Sequence, residues 1–233
     1  MPETARTLVP TLTPREPTLI SDGGGLPFEP AATDAEFVPL DPQQPPVRAL
    51  IEQINLGRQQ ARKPRMFRRA TPLAPMDDAQ KLAGWRALAS TDEEVLYAKG
   101  RPPQLLTVAV RRGRKERWSV AGVSNSRPLR AARDGVRASS WRLDPDFEIT
   151  PEQTELHVLL TEQTQASGSL ASERLLAPEL YIGPDELVLR LYVQPLDGYV
   201  GRSRKHETPV VISLPEAVGE RVVIDGALYE ARS

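Results

Sequence analysis

Glu155-Leu-His-Val-Leu-Leu-Thr161 alternates with period two: Leu156, Val158 and Leu160 share one face, while Glu155, His157 and Thr161 share the other. Successive side chains of a strand point to opposite faces, so this heptapeptide predicts a half-buried β-strand. Similar signals lie on both sides of it. Downstream, Leu187–Val193, Val210–Leu214 and Val222–Ile224 are apolar runs, punctuated by Gly183-Pro184-Asp185, Asp197-Gly198 and Asp225-Gly226. Upstream, Ser139–Leu143 stops at Asp144-Pro145, and Leu105–Val110 is joined to Trp118–Val123 through the turn-like Arg111–Lys115. Seven or so short strands without alternating helices predict a mainly β domain over residues 95–233, a β-sandwich or open barrel. Trp118 and Trp141 interrupt polar runs beside β-type residues and are expected to be largely buried.

Residues 47–94 read differently. Val47, Leu50, Ile51 and Ile54 follow i, i+3, i+4, i+7 spacing after Pro45-Pro46, which predicts an amphipathic helix to about Ala61. A second short helix is expected over Asp77–Ala89, capped by Asp77 or Asp78 and carrying Leu82, Trp85 and Leu88 or Ala89 as its stripe. Before them, residues 1–46 are rich in proline, from Pro2 to the pair Pro45-Pro46, and carry the triplet Gly23-Gly24-Gly25. Proline removes a backbone donor and biases its predecessor toward extended geometry. The expectation is an extended N-terminal arm, either a disordered tail or one whose apolar points, Leu19, Ile20, Phe28, Phe37 and Val38, anchor on a partner.

Formal net charge is −1, but the charge is unevenly spread. Residues 1–44 are acidic on balance. Residues 53–75 contain no acidic residue and hold Arg58, Arg62, Lys63, Arg65, Arg68 and Arg69 around Phe67. Such a strip suits phosphate groups or an acidic protein groove, and equally a solvated connector or pairing with the acidic arm.

Cysteine is absent, which removes disulfides, thiolate nucleophiles and Cys-ligated metals. The start of the chain lacks a basic stretch followed by an apolar run, so no signal peptide is expected, and no window approaches the roughly 20 apolar residues of a membrane helix. The two histidines, His157 and His206, have no Ser or Asp partner at a diagnostic spacing. Ser124 and Ser167 lie outside any G-x-S-x-G elbow and read as turn residues. Asp144, Asp146 and Glu148 alternate like a calcium loop with Glu155 in the closing place, but Ile149 stands where that loop's tight turn needs glycine. Gly23–Gly25 lacks the Lys-Ser/Thr of a phosphate loop. No cofactor or metal is expected.

Trp118-Ser-Val-Ala-Gly-Val123, Trp141-Arg-Leu-Asp-Pro145, Thr154-Glu-Leu-His-Val-Leu159, Thr161-Glu162, Ala166-Ser-Gly168, Thr208-Pro-Val210, Gly219-Glu-Arg221 and Asp225-Gly226 form an ordered series. Through it, residues 95–233 resemble an uncharacterised β domain of secreted or lipid-anchored proteins of high-GC Gram-positive bacteria. Where that resemblance implies cysteines, this chain has Ser126, Gln165 and a residue within 201–206. The resemblance implies a β fold without a reaction, and loss of the cysteines suits a reducing compartment.

These readings favour a cytoplasmic, non-catalytic structural or interaction protein. It would attach through its arm to the other protein subunits of a larger assembly, by analogy a virion or phage-like machine. The alternatives are nucleic-acid binding through residues 58–69 and an enzyme with an unrecognised carboxylate site.

Overall fold

The computed structural model describes residues 5–61, 76–162, 171–195 and 207–230, apart from the side chains of Gln60 and Ala61. In chain order its elements are β1 (Arg6–Leu8), β2 (Thr11–Leu12), β3 (Leu19–Ser21), a 3-10 turn (Pro30–Thr33), α1 (Pro45–Ala61) and α2 (Asp78–Leu82). Then come β4 (Trp85–Ser90), β5 (Glu94–Lys99), β6 (Leu106–Arg112), β7 (Trp118–Asn125), β8 (Arg130–Arg133), β9 (Val136–Leu143) and β10 (Glu155–Thr161). A second 3-10 turn (Ser172–Arg174) precedes β11 (Glu179–Ile182), β12 (Glu186–Tyr192), β13 (Glu207–Ser213) and β14 (Val222–Asp225). The fold is mainly β, with two helices, as the sequence predicts. It separates into two compact units, one of Met1–Ile20 with Leu129–Arg232 and one of Ser21–Pro128.

The first unit is a curled, half-barrel sheet in the order β1-β13-β10-β9-β12-β11-β2, with β14 on β12 and β3 on β8. Leu156, Val158 and Leu160 of β10 form the inner face that their alternation predicts, packed with Leu180, Leu189 and Ile212. Trp141 is buried there, and its indole N–H donates to the Leu189 carbonyl at 3.1 Å.

Both ends of this sheet are covered by the N-terminal segment. β1 pairs parallel to β13, with Leu8 opposite Ile212, and β2 pairs parallel to β11, with Leu12 opposite Leu180. Between the two ladders stands Val9-Pro10, and a proline, having no N–H to give, suits the crossing from one to the other. Arg190 of β12, only 2 % exposed, then holds the chain that follows. Its guanidinium donates to Thr13 Oγ1 at 3.5 Å, to the Pro14 carbonyl at 3.3 Å and to the Arg15 carbonyl, and it lies 3.7 Å from Glu179 Oε2. Arg15 in turn pairs with Glu186.

The second unit is an antiparallel meander, β4-β5-β6-β7, carrying α1 on one face. Val47, Leu50 and Ile51 of α1 meet Tyr97, Val108 and Val110 in one core. The helix therefore forms over the apolar stripe predicted for it. Strand alternation turns Thr107 and Ala109 to the opposite face, which residues 22–25 cover. The Asp22 carboxylate accepts from the Thr107 hydroxyl and, at 2.8 Å, from the Gly24 N–H. The approach is close enough that a Cβ on Gly122 would meet the Gly24 carbonyl oxygen at 2.6 Å, and one on Gly25 would meet Ala109 Cβ at 2.7 Å. Glycine is thus required here by contact rather than flexibility.

Three expectations need correction. Residues 1–46 are not a free extended arm: short strands and buried side chains build residues 5–33 into the two units. The boundaries at 46/47 and 94/95 give way to 20/21 and 128/129, because β4 to β7 form one ladder series that carries α1. The second helix ends at Leu82, and Trp85 and Leu88 belong to β4. A bulge between Ala87 and Ala89 shifts the alternation so that Trp85 and Leu88, three apart, both face inward, which imitates a helical stripe. Trp118 is partly buried, packed against the α1 core.

Candidate functional site

In the second unit, α1, α2 and the sheet enclose an open cavity of about 440 Å³. Ile54 of α1, Trp85 of β4, Leu106 and Val108 of β6 and Val123 of β7 supply its apolar walls. Arg58, Lys81 and Lys99 line it as cations, Gln53 and Gln80 add amides, and no acidic residue lines it among the described residues.

Local sequence sets these positions. Asp77 caps α2 by accepting from the Gln80 N–H at 2.7 Å, while the Gln80 side chain accepts from the Asp77 N–H at 3.2 Å. Gly84, at φ 77°, takes the left-handed conformation that releases the chain into β4. Its lack of a side chain leaves room for the Lys99 stem, whose Cε lies 3.6 Å from where a Cβ would stand. Lys81 Nζ bonds Asp78 Oδ1 at 2.8 Å, and the Arg58 guanidinium donates to Met76 Sδ. Lys99 has no ion pair among the described residues.

A second feature lies in the same unit. Arg86 donates to the Thr33 carbonyl at 2.7 Å, to the Ala32 carbonyl at 3.4 Å and to the Gly100 carbonyl at 3.0 Å. Burial, with Arg101 nearby, lowers the pKa of Arg86 from the ordinary arginine value. Thr33 is buried, and Leu40 packs against the α1 core. Between these two fixed points, Asp34-Ala-Glu-Phe-Val-Pro39 is exposed throughout, with Phe37 48 % and Val38 69 % exposed.

The sequence-predicted sites are therefore dispersed. Of the arm anchors, Ile20 is 0 % and Phe28 2 % exposed within their own chain, Leu19 is half-buried, and Phe37 and Val38 are exposed. Of the basic strip, Arg58 lines the cavity, while Arg62, Lys63, Arg65, Arg68 and Arg69 lie outside the described residues. His206 and Ser167 also lie outside them. His157 stacks on Phe147 with ring centroids 3.8 Å apart, which gives its ring a packing role. Sequence reasoning missed Lys81, Lys99 and the cavity as a whole. Its walls come from α1, α2 and three strands and share no motif.

Buried carboxylates are held by partners of their own unit. Glu94 Oε2 accepts two bonds from Arg111 at 2.7 and 2.9 Å, and Glu162 forms a two-pronged pair with Arg174 at 2.7 and 2.9 Å. The Arg174 guanidinium is raised above its ordinary pKa, first by that bonding to Glu162. Asp225 is raised by burial, although the N–H groups of Ala227 and Trp141 act in the opposite sense. Among the described residues no cluster of three or more His, Asp or Glu could hold a metal, and no helix is long and apolar enough to cross a membrane. Comparisons with protein-family models, with curated proteins and with solved structures return no match.

Proposed function

We propose that this protein is a non-catalytic interaction subunit that attaches to the protein subunits of a larger cytoplasmic assembly, and that residues 34–39 are its attachment point. The exposure of Phe37 and Val38 on a segment held at both ends carries this reading. Burying such side chains is worth about 1.5–3 kcal/mol each, and ordering free chain costs about 1–2 kcal/mol per residue. A loose arm of 44 residues would lose more than two anchors return. A six-residue segment between fixed points has most of that ordering done. Asp34 and Glu36 flank the apolar pair, so the fitting partner is an apolar protein pocket with a basic rim.

The likeness of residues 95–233 to an uncharacterised β domain adds no activity. The test is affinity isolation of the intact protein and of Phe37→Ser/Val38→Ser from the native cell. The variant should melt like the wild type and lose the co-isolated subunits. Recovery of the same subunits at the same yield would overturn the proposal.

A further inference from the structure

We infer that the 440 Å³ cavity of the second unit binds a small amphiphile with an anionic head, its apolar body between α1 and the sheet and its head at Lys99. Ligand cavities commonly span about 300–1,000 Å³, with apolar walls and a few placed polar groups, and this one has that composition. Ile54, Leu106, Val108 and Val123 offer aliphatic surface, and the Trp85 ring offers a broad face. An unliganded apolar recess in water is unfavourable, so an apolar body gains by filling it.

The charge pattern selects the head. Among the described residues three cations and two amides line the cavity and no carboxylate does, so an anion is attracted and a cation is repelled. The three cations are not equivalent. Lys81 is already bonded to Asp78, and Arg58 is engaged with Met76. Lys99 ends β5 with its stem laid over Gly84, and its ammonium has no ion pair or hydrogen bond among the described residues. A carboxylate there would accept a charge-assisted bond from Nζ. The Gln53 and Gln80 amides are further donors for its second oxygen.

Decanoate and decanol, which share a chain and differ in charge, are the probes for the intact protein. Calorimetry should give saturable decanoate binding about tenfold tighter than decanol, with a change in Trp emission. Lys99→Gln should bring decanoate to the level of decanol without altering decanol binding, and Lys99→Arg should keep the preference. Trp85→Phe should abolish the emission change. The inference fails if decanoate does not saturate, if both probes bind equally to the wild type, or if Lys99→Gln leaves the preference intact. An emission change that survives in Trp85→Phe would place binding elsewhere and overturn it too.

Discussion

Replacing Arg190 by methionine keeps most of the side-chain stem in the first unit and removes the guanidinium. Three acceptors on residues 13–15 lose their donor, and Glu179, with its side chain 15 % exposed, loses its cation at 3.7 Å. Glu179 still accepts from the Tyr192 hydroxyl at 2.9 Å; burial first, then Glu179, pushes that phenol's pKa up. Bonds from a charged donor contribute about 1.5–3 kcal/mol each, and removing one partner of a buried pair costs about 3–5 kcal/mol. These overlap because the freed carbonyls can reach water, so about 3–5 kcal/mol is the expected total loss. That lowers the melting of the first unit by about 10 °C or more, with the second unit's transition unmoved. Differential scanning calorimetry of both proteins reads the shift. Protease cleavage within residues 9–18 should also become faster, since Arg190 fixes this segment. Arg190→Met/Glu179→Met should recover part of the loss, because it removes the orphaned charge. A loss below about 1 kcal/mol with unchanged cleavage would refute the assignment of Arg190 as the residue that holds the N-terminal segment.

Gly122→Ala should destabilise the second unit by about 1–3 kcal/mol, since its Cβ would stand 2.6 Å from the Gly24 oxygen. Gly57→Ala in α1, where nothing lies within 4 Å, should instead stabilise it by about 0.5–1 kcal/mol; denaturant titration of both variants checks the two signs. Asp225 is raised by burial, so its contribution to folding is complete below its ordinary value of 3.8 and is lost as pH rises through the folded-state value. Asp225→Asn removes that loss. The melting temperature of the variant relative to the wild type should rise as pH is raised from about 3.5 to about 7; a flat or falling difference would contradict the burial account.

The sequence made some elements legible and hid others for physical reasons. β10 announces itself because seven residues alternate without interruption and one face is buried. α1 does so because its stripe is long and begins at a proline pair. β1 and β2 could not be seen this way: they are three and two residues long, proline breaks them, and their pairing partners lie more than 160 residues away. Pattern reading registers local period, whereas these strands exist because the sheet has ends to cover. Gly23–Gly25 was visible as a break, yet its purpose depends on Gly122 of the facing strand. Of the candidate sites, Phe37 and Val38 were legible as apolar points among prolines. Nothing local distinguished them from Ile20 and Phe28, which differ only in finding cover within the chain.

Native-state hydrogen exchange of the intact protein, followed across residues 5–44, tests most directly whether the N-terminal region is built in except at its attachment point. Thr11 and Thr13 donate to the Pro178 and Leu180 carbonyls at 2.8 and 2.9 Å, and Gly24 donates to Asp22 at 2.8 Å. The amides of these residues should be protected, while those of residues 35–38 exchange freely. Uniformly fast exchange from 5 to 44 would show a free arm and contradict the account.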